Sequence, residues 1–130
     1  MTPNLSSNAK IARINPTTGV QTNLFLTPFI AKNPSGIGVH SSGDLLVLFG
    51  FGEEIRRVNP VTGENNKFSY GGRSSIDITV ASNGDIFVTD FRSKYDAATK
   101  LIKVDPDTAA VDTILSGGEL GRLSGVAIVP

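Results

Sequence analysis

The chain has one histidine, His40, beside a Ser-Ser-Gly turn, and no cysteine at all. The missing thiols remove disulfides, thiol catalysis and thiolate metal sites, and a single imidazole limits acid-base chemistry to one ring per chain. A nucleophilic serine needs a base within reach. Ser74 and Ser75, in "SYGGRSS", have no histidine beside them and no G-x-S-x-G frame. That stretch is glycine-rich but precedes a strand-like run, so it does not cradle phosphate at a helix N-terminus. Carboxylates remain: Asp44, Asp77, Asp85 and Asp90 each sit at the edge of an apolar run. A hard cation such as calcium or magnesium requires several oxygen ligands, so one carboxylate is not a site. The loop "DFRSKYDAATK", 90 to 100, gathers Arg92, Lys94, Tyr95 and Asp96, and long loops on a rigid scaffold are where binding determinants tend to lie.

The elements that must position these residues follow from repetition. "INPTTGV" at 14 to 20 returns as "VNPVTGE" at 58 to 64 and "VDPDTAA" at 104 to 110, and the prolines Pro16, Pro60 and Pro106 are 44 and 46 residues apart. Such a period belongs to solenoids or propeller blades. Asn or Asp before Pro presets a type I turn, and a glycine three positions after the Pro readily takes φ > 0, so each copy reads as a turn joining antiparallel strands. In the third copy Ala109 replaces that glycine, which predicts a looser or differently registered hairpin. A second hairpin recurs between the proline turns, in "GIGVHSSGDLLVLFG" at 36 to 50 and "DITVASNGDIFVTDF" at 77 to 91. The closing "GVAIV", 125 to 129, repeats only its first strand.

Each full unit therefore carries four strands, a to d. They are expected at 35–40, 44–50, 53–59 and 64–70 in the first unit, and at 76–81, 85–91, 100–105 and 109–115 in the second. No segment of helical length shows sustained i, i+3, i+4 apolar spacing free of Gly or Pro. The fold class is all-β: a propeller fragment of four-stranded antiparallel blades, about 2.75 blades in one domain, 1–130. It comprises a split blade (10–26 plus 124–130), a blade at 35–70 and a blade at 75–115. The split blade has strands c and d at the N-terminus, a lone strand a at the C-terminus and no strand b. Propellers close with four to eight blades, so the expected partner is the chain itself, as a homodimer forming a six-bladed ring.

Twelve basic and twelve acidic residues spread along the chain set up no field to recruit nucleic acid or an anionic membrane. No apolar run approaches the ~18 residues a membrane helix needs, and "MTPNLSSNAK" lacks the regions of a signal peptide, so the chain as given reads as soluble.

"KIARINPTTG", "PSGIGVHSSGDLLV" and "IDITVASNGDIFVTD" together resemble the six-bladed propeller superfamily of NHL repeats, virginiamycin B lyase-like proteins and the SMP-30/gluconolactonase group, from Lys10 to Val129. The terminal "GVAIVP" also resembles the entry to the sorting tail of some exported bacterial proteins, which would imply an exported protein trimmed of its signal and tail. In enzymatic members of the superfamily, divalent metal and acid-base residues gather at one mouth of the central channel. The resemblance therefore singles out two residues. His40 ends a strand a, but a paired-histidine arrangement would need a second subunit, and its bland reading is a solvated turn residue. Asp77 stands where the repeat equivalents Gly36 and Gly125 have no side chain, so Ca2+ or Mg2+ in the channel is the cofactor it would serve; its bland reading is a hydrogen-bonded strand-end aspartate. Asp44 and Asp85 recur after Gly and are read as stabilising their turns through nearby backbone amides. Asp90 resembles the structural strand-end aspartate of NHL blades.

The expected function is a self-associating partial propeller that acts as a binding or structural scaffold without catalysis. The alternatives are a metal-dependent lactonase- or lyase-like enzyme at the channel, or a truncated or engineered fragment whose only function is assembly.

Overall fold

A computed structural model describes residues 10–27, 34–49, 54–70, 75–90, 100–116 and 125–129. Strands β1 (Lys10–Ile14) and β2 (Gln21–Phe25) form a two-stranded sheet. Strands β3 (Pro34–Val39), β4 (Leu45–Phe49), β5 (Glu54–Val58) and β6 (Asn65–Tyr70) form a four-stranded meander, and β7 (Ser75–Val80), β8 (Ile86–Asp90), β9 (Lys100–Val104) and β10 (Val111–Ser116) form a second. Neighbours in sequence are neighbours in each sheet, all antiparallel. This is the expected four-strand unit, and the chain is an all-β propeller fragment. One expectation fails: residues 125–129, read as an eleventh strand, belong to no ladder.

The three proline turns share one hydrogen-bond plan. Asn15 Oδ1 accepts the amides of Thr17 and Thr18 at 2.9 and 3.1 Å, Gly19 N–H donates to the Asn15 carbonyl, and Asn15 N–H donates to the Val20 carbonyl. Asn59 and Asp105 repeat each of these bonds. A further bond was not anticipated: Thr18, Thr62 and Thr108 each accept, through Oγ1, the amide two residues on. Thr follows each of the three prolines at the same distance, so the signal was in the repeat.

Ala109 overturns the expectation of a loosened third hairpin. It takes φ 62° and keeps the same turn bonds, Ala109 N to Asp105 O and Asp105 N to Ala110 O, both 2.9 Å. The left-handed cost of about 1 kcal/mol is outweighed by five converging bonds that hold the turn. Where the β9–β10 register does shift, it does so at Ile114, and the β5–β6 register shifts at the equivalent Phe68. The irregularity is thus a shared feature of the outer strand, not a consequence of the alanine.

The core lies between sheets. On one face of β3–β6, Leu46, Leu48 and Ile55 pack against Ile78, Ile86, Val88, Ile102 and Val104 of the next sheet. On the other face, Val47, Phe49 and Val58 pack against Leu26, with Ile11 and Leu24 of the two-stranded sheet alongside. Alternate residues of β4 serve opposite faces, so its near-continuous apolar run "LLVLF" is what a strand buried on both sides requires.

Candidate functional site

In this packing, strand a of one blade lies against strand a of the next. A β-carbon on Gly38 of β3 would lie 3.2 Å from Val80 Cγ2 and 3.9 Å from Ile78 of β7, so the missing side chain is what lets the two inner strands approach. Gly38 is a spacing glycine, and the small residues of strand a are explained by this contact.

His40 follows β3 at the same joint, and the structure corrects the solvated reading: the ring is buried. Ser42 N–H donates to its Nδ1 at 3.0 Å, which makes Nδ1 an acceptor; the Ser42 hydroxyl lies 2.8 Å away. That assignment leaves the proton on Nε2, which donates to the Pro106 carbonyl at 3.1 Å, across the joint in the turn between β9 and β10. The ring also meets Phe68 edge-on, with centroids 5.8 Å apart and planes at 75°. Both ring nitrogens are therefore engaged within the protein, and His40 ties one blade to the proline turn of its neighbour.

Asp77 is half-buried at the head of the next inner strand. Its Oδ1 accepts the amide of Ile78 at 2.9 Å, and its Oδ2 accepts the amide of Val126 at 3.1 Å. A β-carbon at Gly125 would come 3.6 Å from that Oδ2. The carboxylate thus binds the third copy of strand a, residues 125–129. His40 and Asp77 are not brought together: the one serves the outer turn and the other the inner strand.

Asp44 and Asp85 act differently from their reading. Asp44 Oδ2 accepts from Arg57 Nε at 2.6 Å, and Asp85 Oδ2 meets Lys103 Nζ at 3.1 Å, each pairing strand b with strand c. Their turns are stabilised from the other side, since the Asp44 and Asp85 amides donate to Ser42 Oγ and Asn83 Oδ1. The recurring aspartates reflect a recurring cation on strand c, a correspondence (Arg57 with Lys103) visible only once the units are aligned through strand c. Asp90 is fully buried at the end of β8, opposite Ser75 and Lys100 in the ladders. Arg92, Lys94, Tyr95 and Asp96, with Ser74, lie outside the described residues. Among the described residues no three His, Asp or Glu side chains are grouped to hold a metal ion.

No protein-family profile and no curated protein matches the chain. Solved structures do. A chain in the crystal structure of a nidogen/laminin complex matches with a TM-score of 0.71 at 16% identity, over 89% of this chain and 43% of that one. A catalytically inactive virginiamycin B lyase from Staphylococcus aureus, with quinupristin, matches with a TM-score of 0.59 at 22% identity, over 82% of this chain and 34% of the lyase. This chain spans less than half the length of either. At these identities the likeness is one of fold, and the fold that it shares with them is the β-propeller.

Proposed function

We propose that this chain is a scaffold that self-associates, two copies completing a propeller ring, and that it has no catalysis of its own. The observation that carries this reading is the unequal use of the two sides of β3. Gly38 is packed against the next blade, whereas Ile37 and Val39, on the opposite side, are 49% and 59% exposed. Apolar inner-strand residues that are sealed in one joint and bare in the other are the mark of an unfilled contact. The lack of catalysis is supported by what the candidate residues do: His40 and Asp77 spend their polar atoms on the joints between blades.

The test is solution mass by light scattering over a range of concentrations, with and without a chelator. A mass near twice 13.7 kDa that is indifferent to chelator supports the scaffold. A monomer at every concentration overturns it, and a chelator-sensitive mass would return calcium or magnesium to the channel.

A further inference from the structure

Aligning the three copies of strand a sets Gly36, Asp77 and Gly125 in one position, and therefore Gly38, Thr79 and Ala127 in another. In the joint that the chain makes by itself, the second of these positions in one blade (Gly38) packs on the flanking apolar pair of the next (Ile78 and Val80). The equivalent pair one blade back is Ile37 and Val39, and both are bare. Beside them runs a largely apolar groove between β1 and β3, lined by Ile11, Ala12, Pro34, Ile37 and Val47 together with Lys10 and Ser35. It occupies the place where an inner strand of the split blade would lie. The chain has one copy of strand a without a ladder, residues 125–129, and it is bound to its own chain through Asp77, on the far side of the β7–β10 sheet from β3. Ile128 and Val129 of that segment are exposed.

We infer that residues 125–129 of a second copy dock in this groove, with Ala127 seated on Ile37 and Val39 as Gly38 is seated on Val80 and Ile78. The inference rests on the self-association proposed above and names its joint. Three features select this occupant. The groove continues an interface already present in the molecule, β3 against β7, one blade further round. Ala127 carries only a β-carbon, which at the Gly38 spacing would meet Val80 Cγ2 at 3.2 Å, so this joint needs to be only a few tenths of an ångström wider than that at Gly38. The segment "GVAIV" also shares with "GIGVH" the order of small and β-branched residues that this packing uses. The blade so completed has three strands, a from one copy and c and d from the other, and the reciprocal joint closes the ring by the same contact.

The chain has no cysteine, so disulfide trapping reads this contact without background. Chains carrying only Ile37→Cys are mixed with chains carrying only Ala127→Cys and oxidised; Val61→Cys, exposed in the second proline turn, is the control partner for Ala127→Cys. The expected result is a covalent heterodimer from the 37/127 mixture, formed at least tenfold faster than from 61/127. Ile37→Asp, half-exposed in the monomer, is expected to weaken association at least tenfold while leaving the strand content unchanged. If the wild type is dimeric by light scattering but 37/127 traps no faster than 61/127, this joint is wrong and the scaffold reading stands. If the wild type is monomeric, both fall.

Discussion

The two faces of the β3–β6 sheet draw their buried residues from the same strands, β4 and β5, and differ at the inner strand β3. Towards β7–β10, Leu46, Leu48 and Ile55 are sealed by a full sheet, and His40 fastens the rim to Pro106. Towards β1–β2, Val47, Phe49 and Val58 are buried just as fully, against Leu26 with Ile11 and Leu24 alongside, but the inner strand lies open at Ile37 and Val39. The two sides of this sheet thus differ at its inner strand: among the described residues β3 meets another inner strand, β7, on one face only.

That contrast is open to a direct attack with one residue type on one strand. Leu48→Ala hollows the sealed face, where partners on both sheets cannot collapse inward, and is expected to cost about 2–5 kcal/mol. Leu45→Ala, three residues away, removes the same atoms from a half-buried side chain that borders the open groove, and should cost about 1 kcal/mol, the transfer term for atoms already partly wet. Urea unfolding midpoints of the two variants measure the difference. Equal losses would mean that the two joints are equally closed and would remove the basis for a missing partner.

The proline turns sharpen the comparison further, because three copies of one turn sit in different surroundings. A β-carbon at Gly63 would overlap the carbonyl oxygen of Phe25, where the end of β2 crosses the turn and Thr27 bridges Glu64, donating its amide to the Gly63 carbonyl at 2.9 Å. A β-carbon at Gly19 would meet nothing within 4 Å among the described residues. Gly63→Ala must therefore push β2 away as well as hold φ 79°, and should destabilise by about 2–4 kcal/mol, overpacking added to the left-handed cost. Gly19→Ala carries the backbone term alone, about 1 kcal/mol, as Ala109 shows is tolerable. Thermal midpoints of the two variants decide it: a Gly63→Ala loss no larger than that of Gly19→Ala would show that the outer joint yields freely.

How much of this could be read in advance follows from the reach of each interaction. The strands and turns were legible because their causes are local: Pro after Asn or Asp, Gly where φ is positive, alternating or continuous apolar runs. Ala109 was misread because its left-handed cost was weighed without the five bonds that converge on the turn from Asp105, Thr108 and the flanking amides. His40 was misread for the opposite reason. Its acceptor, Pro106, is 66 residues away, and nothing in "HSSGD" announces that a carbonyl of another blade will meet the ring. Asp77 was marked as unusual by the two glycines it replaces, and the repeat did locate it correctly on an inner strand. The identity of its partner, the Val126 amide, depended on how strand a of one blade lies on the next. Chemistry within a turn is written in the turn, and chemistry across a joint is written in the packing.

The smallest expected effect separates the third turn from the first two by charge alone. Asn15 and Asn59 cap their turns as neutral amides, and Asp105 caps its own as a carboxylate. The Thr108 amide first, and then the Asp107 amide, hold its carboxyl below the usual aspartate value, because each N–H favours the charged acceptor. A carboxyl depressed in the folded state adds stability that is present above its unfolded value, near pH 4, and lost as pH falls through the folded one. Acid should therefore loosen the third turn while the Asn-capped turns are unaffected. Asp105→Asn should leave the urea midpoint at pH 7 nearly unchanged, because Asn serves the same bonds in the other two copies, and should make the decline below about pH 4 shallower than in the parent. Side-chain exposure keeps the difference small, so amide exchange at Thr108 followed through the same acid range is the more sensitive reading. An Asp105→Asn turn that opens in acid as fast as the parent would place the acid-labile contact elsewhere.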